Sequence, residues 1–474
     1  MLSWSTRVGN LLSWLHRPTL FSLSIRISSS SIAKFNLLST FSSAEVSCCL
    51  DEDSDDFLPW LERKAGVEIS SVLSIGKSAY GRSLLASKSI HAGDCVLRVP
   101  DCVQIAPDNL LPEIKSLVPD EVGNVTKLAM VVILEQNMGR HSEWAPYISR
   151  LPRPGEMHNT IFWSEKEMEM IRQSLVYEET VRKNAHIEQE FFAIKPVLDR
   201  FRETFDGITF DVFKHVYALV ESRAWRSTRG VSLIPFADFL NHGGSIESSV
   251  IYVDNEGKEL SEVIADQNYA PGEQVLIRYG KFSNATLLLD FGFTLPHNIY
   301  DEIQLGFDIP QHDPLRMKKL ELLRRHCTPT IEDASSFSPS QDSFTLKEVR
   351  STEGRGRGIP QSLRAFARVL CSTSSQELRD LATEAAQNDG RLARRPSKNK
   401  SREIEAHRFL LSRISLLIEE YTMSITSLDH LPSPITSEKL LRRQMARYLL
   451  SGELRVLKSA SKWLERYCTK LSES

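Results

Sequence analysis

The spacing of apolar residues changes along the chain and divides it into stretches of different character. From Val67 to Pro107 apolar residues fall in short β-rich runs, Val72–Ile75, Ser83–Ala86 and Cys95–Val99. Ser78-Ala79-Tyr80-Gly81 and His91-Ala92-Gly93-Asp94 supply turns between them. From about Asp108 to Val220 the spacing is helical, clearest at Lys127–Gln136, Glu165–Leu175, Val181–Phe192 and Lys195–Phe205. Strand character returns from Ser232 to Gly280 in Val250–Val253, Glu262–Asp266 and Gln274–Tyr279, with Asp254-Asn255-Glu256-Gly257 reading as a hairpin turn. Beyond Asp313 the pattern is helical again, at Leu315–His326, Ser401–Tyr421 and Ser437–Tyr467. The order predicts an α+β domain, β-rich with a helical insertion over about 108–220, followed by an all-α C-terminal domain.

Two polar breaks interrupt the last helical stretch, one around Gly354-Arg355-Gly356-Arg357-Gly358 and one from Arg391 to Arg402 that is rich in Arg and Lys and has no acid. Both read as mobile solvated loops, with an acidic partner as the alternative.

The first 44 residues differ from everything after them. They contain no Asp or Glu, twelve serines and the cations Arg7, Arg17, Arg26 and Lys34. Leu2, Trp4, Val8, Leu11, Leu12 and Leu15 share one helical face. An acid-free, Ser-rich amphipathic leader predicts a mitochondrial or plastid transit peptide, with the early Arg leaning towards the mitochondrion. Residues 45–56 hold the acidic run Asp51-Glu52-Asp53-Ser54-Asp55-Asp56, whose like charges repel and predict a solvated linker. Folding is expected to start at Phe57.

Composition narrows the partners. With 58 basic and 61 acidic residues the net charge is −3, so no nucleic acid is expected and any basic surface is local. The seven cysteines, Cys48, Cys49, Cys95, Cys102, Cys327, Cys371 and Cys468, make no CxxC pair and no zinc spacing; neither zinc nor another metal is expected. No run of ~18 apolar residues occurs, so no membrane span is expected.

Three segments carry candidate chemistry. In Ala79-Tyr80-Gly81-Arg82-Ser83 a small-residue turn lets backbone groups approach a ligand. Ser222-Arg223-Ala224-Trp225 and Leu233-Ile234-Pro235-Phe236-Ala237-Asp238-Phe239-Leu240-Asn241-His242-Gly243-Gly244 set Asp238, Asn241 and His242 among apolar residues, where polar side chains need a shared network or a ligand. Ala270-Pro271-Gly272-Glu273-Gln274-Val275-Leu276-Ile277-Arg278-Tyr279-Gly280 leads to Leu289-Asp290-Phe291-Gly292-Phe293 and places a phenol at a strand end. Taken singly these are a hairpin glycine, a capped turn and a surface tyrosine.

In this order the three segments resemble the SET-domain protein methyltransferases, and more closely the branch of the plant Rubisco large-subunit methyltransferase, which also holds a histidine methyltransferase of actin. The resemblance covers residues 57–305 and, more loosely, 313–467. It implies a β-rich knotted SET domain with a helical insertion, then a helical domain that docks a protein substrate. It also implies S-adenosyl-L-methionine as cofactor, held by Tyr80, Gly81, Arg82, Arg223, Asn241 and His242. Tyr279 is the implied catalytic tyrosine, and Arg223, Asp238, Tyr252 and Phe291 the implied substrate contacts, Arg223 and Asp238 being alternatively a structural ion pair. Three positions depart from the branch: Phe291 stands where the plant enzyme has tyrosine, Ser83 replaces a common glycine, and Gly243-Gly244 replaces the usual Ser or Asp after Asn-His. The resemblance implies a lysine acceptor, with a histidine acceptor or a non-catalytic SET-fold adaptor in an organellar assembly as alternatives.

Overall fold

The computed structural model describes residues 49–50, 56–78, 81–227, 230–244, 250–255, 260–326, 343–351, 356–430 and 436–473. The leader and most of the acidic segment lie outside these residues. Cys49–Leu50, inside the segment expected as linker, pairs antiparallel with Leu73–Ser78, which in turn pairs with Gly81–Ala86. Gly81 sits at φ 91, where a Cβ is disfavoured, and opens the second strand of that hairpin.

A second sheet of five strands runs in the order Cys95–Pro100, Leu260–Ala265, Val250–Asn255, Leu276–Ile277, Asn241–His242. The first three are antiparallel neighbours, and Asn255 faces Leu260 across the expected hairpin. Leu276–Ile277 instead inserts between two earlier strands and runs parallel to both, with Leu276 opposite Asn241, Ile277 opposite His242, and Ile277 opposite Val250. This threading brings the third sequence segment beside the second. The expected strand Gln274–Tyr279 is thus only two residues long as a ladder. Its N-terminal part bonds the other sheet, Val275 N donating to Leu84 O at 2.9 Å, and Tyr279 lies beyond the ladder.

The insertion is helical, but its elements differ from the sequence reading in one respect. Val181–Phe192 and Lys195–Phe205 belong largely to a single helix, Val176–Arg200, with Pro196 inside. Proline frees the carbonyl four residues earlier, that of Phe192, on a turn whose side chain faces solvent, where water can satisfy it. The Phe210–Arg223 helix is capped by the Thr209 hydroxyl, which accepts from Val212 N, and ends at Arg223, a cation at the negative end of the helix dipole. Burial of Leu128 to Ile133 and Phe213 to Val220 joins insertion and sheets in one core.

The C-terminal part is built on two long antiparallel-packed helices, Lys400–His430 and Ser437–Glu473, with Arg316–His326, Gln361–Leu370 and Ser375–Ala386 against them. It is not wholly helical. Ser343–Lys347 forms a two-stranded antiparallel ladder with Glu302–Gly306, so a strand of the β-rich unit is completed from the C-terminal one. A second core spans both, with Ile171, Val176 and Leu288 packed among Leu449, Val456 and Trp463. At this seam Arg442 reaches Glu167 at 3.1 Å, and Ser174 donates to the buried Glu453 at 2.7 Å. No helix among the described residues is long and apolar enough to cross a membrane.

Candidate functional site

The strand insertion fixes the centre of the site. Asn241 Nδ2 donates to Arg82 O at 3.0 Å, tying the strand after the first turn to the strand of the second segment. Tyr279 N donates to His242 Nδ1 at 3.1 Å, and Tyr279 Oη donates to Leu240 O at 2.9 Å. Residues far apart in sequence therefore meet through backbone–side-chain bonds. Because its Nδ1 accepts, His242 carries its proton on Nε2. Burial, then the nearby Arg278, lowers its pKa to about 4, so the ring is neutral near pH 7.

Tyr279 is half-buried, and its phenol is pushed up to about 12, chiefly by burial. It stays protonated near neutrality. Its hydrogen is committed to Leu240 O, which leaves the phenolic lone pairs as acceptors. Around it stand the rings of Phe291 at 5.1 Å, His242 at 5.2 Å and Phe293 at 6.4 Å, giving this face an aromatic wall. Phe291 ends a single π turn, Leu287–Phe291, and Gly292 follows at φ 77. A Cβ at Gly292 would lie 2.8 Å from Asn159 N, so only glycine fits between Phe291 and Phe293.

Arg223 and Asp238 form the other side. Arg223 Nη1 donates to Asp238 O at 3.1 Å and lies 3.7 Å from Asp238 Oδ2. The Asp238 side chain has no exposed surface, and burial raises its carboxyl to about 6 against the pull of Arg223. Tyr147 Oη donates to Asp238 Oδ2 at 2.9 Å. Phe236, just before, is held at φ 75, a strained backbone for a bulky residue.

Of the residues singled out from the sequence, Arg82 meets Asn241, the adjacent His242 meets Tyr279, and Tyr279 meets Phe291, while Arg223 and Asp238 form a pair of their own. The Arg82 side chain turns away, its guanidinium donating to Arg150 O and lying 5.1 Å over the Phe239 ring, so its carbonyl is what meets Asn241. Tyr80 lies outside the described residues, as does the Tyr252 side chain; the Tyr252 backbone pairs with Val263. The sequence reading passed over Tyr147 and Lys183 and gave Phe293 no role. Lys183 Nζ lies 2.6 Å from both Glu221, two residues before Arg223, and Asp290, beside Phe291. Its only sequence signal was a lysine within a helical run, which is no signal.

A family model described as Rubisco LSMT substrate-binding matches residues 310–457. A solved structure of Rubisco LSMT bound to sinefungin and monomethyllysine superposes with a TM-score of 0.68 at 22% identity, covering 90% of this chain and 94% of that one. The chain has the SET fold of Rubisco LSMT.

The curated relatives are distant. The Pisum sativum Rubisco large-subunit N-methyltransferase, named chloroplastic, is 27% identical over 284 residues, 56% of each chain. The chain thus spans a little over half the length of such plant relatives. The Gallus gallus actin-histidine N-methyltransferase is 25% identical over 442 residues, 88% of this chain and 70% of that one. A second LSMT structure, of its SET domain bound to lysine and S-adenosylhomocysteine, has a TM-score of 0.67 at 22% identity.

Proposed function

We propose that the chain is an S-adenosyl-L-methionine-dependent protein methyltransferase with a lysine side chain of another protein as acceptor. The observation that supports this most directly is the junction of Arg82, Asn241, His242 and Tyr279 around the inserted strand. The cofactor fits what that junction leaves unmet. Ser83 Oγ, Arg223 Nε and Asp238 Oδ1 are buried without a hydrogen-bond partner, although buried polar atoms are normally bonded. A donor guanidinium beside buried acceptors suits a zwitterionic amino-acid end such as the cofactor's.

In this reading S-adenosyl-L-methionine supplies a methyl group on a sulfonium, ready for in-line displacement. The Gly81-Arg82 backbone and Asn241 hold it, and Arg223 grips its carboxylate. Tyr279, unable to act as a base with its phenol at about 12, accepts from the acceptor nitrogen and orients it. A lysine, whose ordinary pKa is ~10.4, reacts in its neutral form after losing a proton to solvent. Asp238, buried beneath Tyr147, shapes the acceptor side rather than opening onto it. Residues 57–305 form the catalytic unit and 313–467 dock the protein substrate.

A histidine acceptor is the second reading. It is favoured by the actin-histidine relatives, which align over 88% of this chain, and by Phe291, which withholds a hydroxyl that the plant enzyme has. Import into an organelle remains part of the proposal; the plant relatives are named chloroplastic, which supports the plastid over the mitochondrion.

Calorimetry of the full chain with S-adenosyl-L-methionine tests the reading, with Asn241→Ala as control. Binding that disappears in a folded control supports it. Absence of binding in the folded parent protein leaves the adaptor reading in its place. Tritiated methyl transfer into a cell extract, followed by amino-acid analysis of the labelled protein, then separates methyl-lysine from methyl-histidine.

A further inference from the structure

The basic run from Arg391 to Arg402 is more ordered than its composition suggests. Leu392 and Ala393 are buried in a small core with Leu322, Val369 and Leu378. Beneath them Arg368, nearly inaccessible, donates to Leu392 O at 2.5 Å, to Arg395 O at 2.9 Å and to Glu403 Oε1 at 2.7 Å. Glu403 is fixed by Tyr467 Oη at 2.8 Å and accepts from Ser397 N at 3.3 Å. Glu384 Oε1 takes Lys398 N at 3.1 Å and Ser397 Oγ at 3.2 Å. The expected mobile loop is a shaped one, its carbonyls held from inside by one buried guanidinium.

That anchoring sets the cations outward. Arg391, Arg394, Arg395, Lys398 and Lys400 are all exposed. Arg394 is matched by Asp389, and Arg402 by Glu377 and Glu405. Among the described residues, Arg391, Arg395 and Lys400 enter no side-chain ion pair or hydrogen bond, and Lys398 Nζ meets only the neutral Gln387. Four cations outside any ion pair, on a fixed backbone in a chain whose net charge is −3, make this loop locally cation-rich. It lies within the segment matched by the substrate-binding family model.

We infer that the Arg391–Lys400 loop is a docking surface for an acidic stretch of a protein partner, which is the methylation substrate if the function proposed above holds. Arginine forks pair with carboxylates two-pronged, and a backbone already fixed loses little freedom on binding. Overall negative charge disfavours a nucleic acid, whose phosphates would meet repulsion away from this one loop.

The test is fluorescence anisotropy of the full chain with a labelled Asp/Glu-rich peptide, and with a labelled DNA duplex in parallel. One variant carries Arg391→Gln, Arg395→Gln, Lys398→Gln and Lys400→Gln. A second removes the same charge elsewhere, through Lys88→Gln, Arg140→Gln, Arg153→Gln and Arg202→Gln, all at exposed positions. The expected result is peptide binding that weakens with salt, falls about tenfold or more in the loop variant and stays within about twofold in the other. Arg391→Lys with Arg395→Lys keeps most of it. Equal loss in both neutralised variants, no peptide binding by the parent chain, or tighter duplex binding lost with the loop cations would each overturn the inference. Calorimetry with S-adenosyl-L-methionine on the same proteins keeps the two questions apart: cofactor binding that survives in the loop variant leaves the enzyme reading intact whatever the peptide does.

Discussion

Tyr147 and Asp238 lie 91 residues apart, yet the Tyr147 hydroxyl donates to Asp238 Oδ2 at 2.9 Å in the interior. Through this bond the helical insertion reaches the segment that carries Asn241 and His242. Asp238 has a carboxyl raised from 3.8 to about 6 by burial, and the Tyr147 bond is one of the forces restraining that rise. A raised carboxyl contributes stability that is complete below 3.8 and lost as pH rises through about 6. Tyr147→Phe raises the folded value further. It is therefore expected to cost about 2 kcal/mol at neutral pH, as for a hydrogen bond to a charged group. Urea denaturation checks this, and the cost should shrink once Asp238 is protonated in both proteins.

Tyr279→Phe removes the hydroxyl that bonds Leu240 O while keeping the ring against Phe291 and His242. Methyl transfer is expected to fall by roughly a hundredfold or more, as when a positioned polar group is lost from a reacting centre. Cofactor affinity, measured by calorimetry, should change by less than about threefold, and activity near the parent level would remove Tyr279 from the reaction.

Lys183 bridges two carboxylates at 2.6 Å each, Glu221 on the helix ending at Arg223 and Asp290 on the π turn ending at Phe291. Lys183→Met leaves those carboxylates facing one another with little solvent. Removing one partner of such a cluster costs about 3–5 kcal/mol. Adding Glu221→Gln and Asp290→Asn to Lys183→Met should recover more than half of the loss, read from denaturant midpoints. No recovery would mean that the lysine stem, and not its charge, was what mattered.

Glu453 is buried at the seam inside the second core, bonded by Ser174, and burial raises its carboxyl from 4.5 to about 8 with Asp301 adding to the rise. Its contribution to stability is present below 4.5 and is lost as pH rises through about 8. The melting temperature should fall between about pH 4.5 and 8 and level off above, and Glu453→Gln should flatten that fall. A parallel slope in the variant would assign the pH dependence to other groups.

The local pattern carried much of the fold. Helical spacing located the long helices at Asn124–Met138, Lys400–His430 and Ser437–Glu473, and alternation located the hairpin strands, because each face of these elements is read by its own burial. It split Val176–Arg200 between Phe192 and Lys195, a break that long-range packing overrides. It gave no sign of Ser343–Lys347, whose pairing partner, Glu302–Gly306, lies across the described boundary of another unit.

Within the site, the sequence by itself determined which residue types were available: the glycine at 81, the Asn241-His242 pair and the tyrosine at 279. Only the tertiary structure decided what they do to one another. Leu276–Ile277 passes between Asn241–His242 and Val250–Asn255, and that threading turns three separate segments into one junction. The same holds for Tyr147, Lys183 and the anchored basic loop. Each depends on a partner distant in sequence, and a side chain's hydrogen-bonding and charge needs do not reveal which remote group the packing of the core will bring to it.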